Sequence, residues 1–252
     1  MLKLGYGLKH ALDYSNKEIN AFLLTTVIAG FLLSARNWGT PFSIAVGIGN
    51  FFTFSLIFGV LFFLFVTMQK FIAYALGCKG TYKIWRFGPF IAFLISLYLI
   101  MFIPNSNYYF LVVLYIGSVN LEVIPEAKLG KFRQGLNISD MVYVGMTGPA
   151  TIILLILLIL QPIYLSTHSQ FSQILIIIAS LILFYSSLPL PKMNGLNILI
   201  RSRVGWLFYF FFSLLFLVLI LTLNFWTYLV ALALAILLVW AAKKYLSPKL
   251  HG

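Results

Sequence analysis

Between Ser43 and Gly77 the chain carries one charged residue, Lys70. A helix crossing a membrane needs only about 20 apolar residues, so this run must tilt, break or continue past the membrane surface. Six more apolar runs follow the same pattern: Ile19–Ala35, Gly88–Ile103 (closed by Pro104), Met141–Leu165, Phe171–Leu190, Val204–Leu223 and Trp226–Ala242. Tyr108–Val119 is too short for an ordinary span and reads as a short helix or a re-entrant segment. The chain is 62% hydrophobic and 9% charged, with a mean hydropathy of +1.02. Soluble domains sit near 45–50% and about 25%. The expected fold is therefore an all-α polytopic integral membrane protein of about six to eight transmembrane helices. It forms one membrane domain over residues 1–252, with 204–242 as a C-terminal helical hairpin. Residues 1–20 are polar and basic, unlike a cleavable leader, and 1–18 are expected to form a cytoplasmic N-terminal segment.

Charge gives the expected orientation. If the N-terminal end is cytoplasmic and every run crosses, the loops 77–87, 120–140 and 191–203 and the tail lie inside, with nearly all the lysines and arginines. The opposite loops then hold only Arg36. Omitting an excursion at 108–119 would reverse every later loop against the positive-inside rule. Both termini are expected on the cytoplasmic side. The net charge of +12 accordingly points to anionic lipid surfaces and not to nucleic acid. The lipid bilayer and other integral membrane proteins are the expected partners.

Few residues carry obvious chemistry. His10, His168 and His251 are expected on different sides and cannot meet at one metal. Asp13, Glu18, Glu122, Glu126 and Asp140 all lie outside the expected spans, which counts against an ion-coupled carrier. Lys70 is expected to snorkel to the headgroups. The single cysteine, Cys78, excludes an internal disulfide and a cysteine-built metal site. Asn137-Ile138-Ser139 matches a glycosylation acceptor but falls on the expected inner side. Asn50, Thr53, Ser55, Thr67, Gln69, Thr147 and Thr151 put polar groups inside the spans, as helix-packing contacts or a ligand site.

Three stretches in order resemble the intramembrane zinc metalloproteases of the site-2 protease class. Val144-Gly145-Met146-Thr147-Gly148-Pro149 is similar to that family's small-residue Gly-Pro motif opening a helix. Ser186-Ser187-Leu188-Pro189-Leu190-Pro191-Lys192-Met193-Asn194-Gly195 resembles its Asn-x-x-Pro-x-x-x-x-Asp-Gly segment, in which the aspartate binds zinc. Ala73–Lys79 resembles the residues just after HExxH, and the Gly117–Arg133 loop with Pro125 the stretch before the Gly-Pro helix. The likeness covers roughly residues 50–200 and implies a site-2 protease-like core over roughly 43–200.

The catalytic positions depart from the family. Aligning on Ala73 and Gly77 puts Phe65 and Val66 at the first His and the Glu, and Gln69 at the second His. Asn194 stands for the zinc-binding Asp and Ser186 for the usual Asn. Zinc hydrolysis needs about three N, O or S ligands and an open position for water, with a base to take that water's proton. Phenylalanine and valine supply neither, and an amide is a poor ligand and no base. The resemblance thus implies a pseudoprotease: no enzyme, no metal, no cofactor. It binds or escorts transmembrane helices, with Gly148, Pro149, Ser186, Pro189, Pro191, Asn194 and Gly195 as the candidate helix-binding segment. The prolines also break the helix and leave backbone groups free to pair with a bound strand, or they form an ordinary turn. A constitutive subunit of a larger complex, a transporter or channel, and a zinc protease with unusual ligands are the alternatives.

Overall fold

The structure, a computed structural model, describes residues 13–39, 41–103, 112–123, 138–219 and 226–246. It is mostly helical, at 78%. In chain order the elements are α1 (Asn16–Ser34), α2 (Ile44–Ala75), β1 (Cys78–Lys83), α3 (Gly88–Phe102), β2 (Ser118–Val123) and α4 (Ile138–Leu155). A π-helical turn (Ile156–Leu160) leads into α5 (Gln161–Thr167), followed by α6 (Gln170–Ser187), α7 (Asn194–Arg201), α8 (Arg203–Leu219) and α9 (Trp226–Leu246). Among the described residues, four helices are long and apolar enough to cross a membrane: α1, α2, the Ser139–Thr167 helix and α6. Gly88–Phe102, Arg203–Leu219 and Leu229–Ala241 are apolar but shorter. The expected hairpin at 204–242 corresponds to α8 and α9, which pack together.

The long run at Ser43–Gly77 resolves as one unbroken helix of 32 residues, about 48 Å at 1.5 Å per residue. Phe58, Phe62, Phe65 and Gln69 recur at helical spacing on its buried side. Phe52, Leu56 and Val60 lie on its exposed side at 64%, 69% and 53%. Large apolar side chains are exposed in the same way on α3 (Phe90, Leu94, Met101) and α9 (Leu229, Ile236, Trp240). Such extensive apolar surface suits lipid and not water.

α1 lies antiparallel on α2. Tyr14 bonds Thr67 at 2.8 Å, Phe22 stacks on Phe62 with centroids 5.1 Å apart, and Gly30 packs against Ser55. Small residues at Gly30 and Gly59 let the two backbones close.

The junction at the α1 N-terminus corrects the expectation for Lys70. It does not snorkel: its side chain is 3% exposed and its Nζ lies 3.1 Å from Glu18 Oε1. Nζ also donates to the Asp13 carbonyl at 2.7 Å and sits 3.8 Å from the Tyr14 ring centroid. Glu18 uses its other oxygen to accept from Ser15 N, while Ser15 Oγ accepts from Glu18 N, closing a capping box. Its Oε1 further accepts from Tyr82 N in β1 at 2.7 Å. The helix begins at Asn16, so Glu18 belongs to it and not to a preceding segment.

Two features depart from an all-helical reading. β1 and β2 pair antiparallel, with Tyr82 opposite Val119. The excursion at 108–119 falls partly outside the described residues, but 112–117 are not helical. They have no regular secondary structure, are mostly buried (Val112 0%, Ile116 0%) and lead into β2. Non-helical backbone in an apolar setting needs internal partners. Ser96 Oγ accepts from Val113 N at 2.7 Å, and Tyr82 OH donates to the Ile116 carbonyl at 2.9 Å.

At the end of the bundle that holds the sheet, Lys79 and Lys83 lie on β1, Arg201 lines a cavity with β2 residues, and Lys192 follows Pro191, whose carbonyl accepts from Tyr115. Arg36, at the other end, donates to the Ile100 and Ile103 carbonyls where α3 stops. Removing one partner of a buried ion pair strands the other, at about 3–5 kcal/mol. Lys70→Met should therefore lower stability by that amount in detergent melts, and the double variant with Glu18→Gln should recover part of it. A Lys70→Met protein melting like the wild type would show that the pair does not hold the junction.

Candidate functional site

Pro149 lies inside α4. Proline has no N–H, so the Gly145 carbonyl four residues earlier loses its helical donor. The side chain of Gln69, on α2, reaches that carbonyl: its Nε2 donates to Gly145 O at 3.4 Å. Gly148 makes the approach possible, since a Cβ there would sit 2.6 Å from Gln69 Nε2 and 2.8 Å from the Phe65 ring. Gly148 and Pro149 thus form one packing unit with Phe65 and Gln69. Phe65, Val66 and Gln69 are each 1% exposed.

The Ser186–Gly195 stretch follows a comparable logic. Ser186 is buried and bonded to the Tyr209 hydroxyl. Pro189, Leu190 and Pro191 form an exposed turn, pinned where Tyr115 OH donates to the Pro191 carbonyl. Lys192 closes the turn in the left-handed region at φ 55°. Gly195 lies against the Ser187 and Leu188 carbonyls, where a Cβ would collide with backbone. Of the candidate helix-binding segment, only Pro189 and Pro191 are exposed; Gly148, Pro149, Ser186, Asn194 and Gly195 are buried in the protein's own packing.

Beside this turn lies a cavity of about 230 Å³. β2 contributes Val119, Asn120 and Leu121, and α4 contributes Met141 and Gly145. α7 contributes Asn194, Asn197 and Arg201. Gly145 thus borders the cavity and also accepts from Gln69. Asn194 is 1% exposed and its Nδ2 has no hydrogen-bond partner; Gln69 Oε1 likewise has none. Asn197 Nδ2 donates to Ser118 Oγ at 3.2 Å, tying α7 to β2. Arg201 NH1 donates to the Asn197 carbonyl at 3.0 Å, and burial lowers the guanidinium pKa.

Asn120, Asn197 and Arg201 were not singled out from the sequence. Asn194, Asn197 and Arg201 recur at i, i+3 and i+7, a polar stripe on an otherwise apolar short helix, and that spacing was the available signal. A second, more open cleft of about 510 Å³ lies at the other end, but its Arg36 is engaged with α3. Among the described residues no three His, Cys, Asp or Glu side chains cluster as metal ligands. Asn137 of the glycosylation-like triplet lies outside the described residues.

Comparison with known family models, curated proteins and solved structures returns no match.

The Gln69–Gly145 bond should couple energetically to Pro149. Gln69→Leu is expected to cost about 1 kcal/mol in the wild type. It should cost less in a Pro149→Ala background, where the new backbone N–H at position 149 satisfies Gly145 O. A double-mutant cycle on detergent melts measures this, and strictly additive effects would refute the role assigned to Gln69.

Proposed function

We propose that this chain is a multi-pass membrane protein that holds a polypeptide segment of another integral membrane protein without cutting it. The basic residues gathered at the sheet end support placing both termini on the cytoplasmic side. The exposed apolar helix faces support immersion in lipid. In this reading the chain is a site-2 protease-like scaffold with Phe65, Val66, Gln69 and Asn194 at the catalytic positions, so it carries no hydrolytic chemistry.

The observation that carries the proposal is the meeting of two unmet demands at one cavity. Among the described residues β2 has a strand partner on one side only, and its middle residues line the cavity. Asn194, a buried amide in the cavity wall, keeps an unpartnered Nδ2. An unpaired buried polar group costs about 1–3 kcal/mol, and an extended segment added to β2 brings backbone donors and acceptors. A transmembrane helix that unwinds locally supplies such a segment.

The test is a photo-crosslinking amino acid at Asn120 in the native membrane, alongside elemental mass spectrometry of chelator-free protein. Expected are adducts with transmembrane segments, reproduced across preparations, and zinc well below one per chain. Near-stoichiometric zinc with substrate cleavage would overturn the proposal. One discrete large species on native gels would favour a constitutive subunit over a transient escort.

A further inference from the structure

The chemistry of the cavity is one-sided. Asn194 Nδ2 is a buried donor with no partner, and Asn120 adds an amide. Arg201 adds a guanidinium with five N–H donors, one of which is committed to the Asn197 carbonyl. Among the described residues that line it, none is acidic. Among the described residues, the two ion pairs are Lys70–Glu18 and Lys83–Glu122, and neither involves Arg201. Asp140 adjoins Met141 at the start of α4 but does not line the cavity. The guanidinium is partly buried, so it has lost water, and it forms no ion pair among the described residues.

From the unanswered positive charge of Arg201 and the unpartnered Asn194 Nδ2 we infer that the cavity selects an acidic peptide: a segment whose Asp or Glu carboxylate is received by Arg201 and Asn194 as its backbone pairs along β2. The inference rests on the polypeptide-holding reading above and adds the charge of what is held. A guanidinium fork matches a carboxylate in bidentate geometry. Asn197, anchored on Ser118 Oγ, fixes the distance between the fork and the strand edge. Arg201 closes α7, where the helix dipole favours its charge, so the side chain is held in place without a bound acid.

The probe is a capped seven-residue peptide of alternating valine and threonine with a central glutamate, glutamine or lysine, labelled with a fluorophore. Binding to the detergent-solubilised full chain is read by anisotropy. The glutamate peptide should bind about tenfold tighter than its glutamine isostere, as expected for a hydrogen bond to a charged group. Arg201→Gln should abolish that preference, and Arg201→Glu should make the lysine peptide the tightest, each with an unchanged melting profile. Equal binding of the glutamate and glutamine peptides to the wild type would overturn the inference and leave the polypeptide reading intact. Failure of all three to bind would overturn both. Should Arg201→Glu not fold, Arg201→Lys replaces it. A single ammonium in place of the fork should keep the sign of the preference and shrink it; a preference unchanged in Arg201→Lys and Arg201→Gln alike would remove Arg201 from the site.

Discussion

A lysine with nowhere to go fixes one end of this molecule. Lys70 sits five residues before the end of a helix whose residues are almost all apolar, and its ammonium has to be answered inside the protein. Glu18 answers it, and in doing so binds three pieces of chain: the cap of α1, the last turns of α2 and the backbone of β1. β1 sets the register of β2, and β2 places Asn120 beside α7. The geometry of the cavity is in this sense inherited from a buried charge at the opposite edge of the sheet. Such a pair contributes specificity of assembly more than net stability, because its desolvation nearly offsets its attraction.

The substituted positions have physical work to do as they stand. Gln69 supplies the donor that Pro149 removed, and Phe65 fills the space that Gly148 leaves open. A histidine at position 69 could not make the same contact and bind a metal with the same nitrogen. Phe65 and Gln69 stitch α2 to α4, through Gly148 and the Gly145 carbonyl. Beside this packed contact lies the cavity at Asn194, whose buried Nδ2 has no partner among the described residues.

How much of this could be read from the sequence follows from the kind of signal each part leaves. Apolar runs are long-range and redundant, so α2, α4 to α5 and α6 were legible to within a few residues at most ends. Charge asymmetry is additive over loops, and it pointed to an excursion at 108–119, where residues 112–117 lead into β2. It could not say how, because a non-helical apolar stretch and a short helix have the same hydropathy; only Ser96 and Tyr82, distant in sequence, decide for the non-helical form. Lys70 misled for the same reason: its partner is fifty-two residues away, and near a helix end a lone lysine looks like a snorkelling one. Asn194 and Gly195 stood out through their turn, while Asn197 and Arg201 became meaningful only when α7 was set against β2.

The buried non-helical stretch at 112–117 has a consequence for how such a chain is made. Helices satisfy their own backbone and can enter an apolar phase one at a time. This stretch cannot, since its amides and carbonyls depend on Ser96 in α3 and Tyr82 in β1. Its side chains are as apolar as those of a helix, yet it is stable only inside a bundle that already exists. Assembly therefore has an order: α2, β1 and α3 must be docked before residues 112–117 can be drawn in, and β2 follows. The site that β2 borders is the last part of the molecule to come into being and, by the same dependence, the first to be lost when the helices loosen.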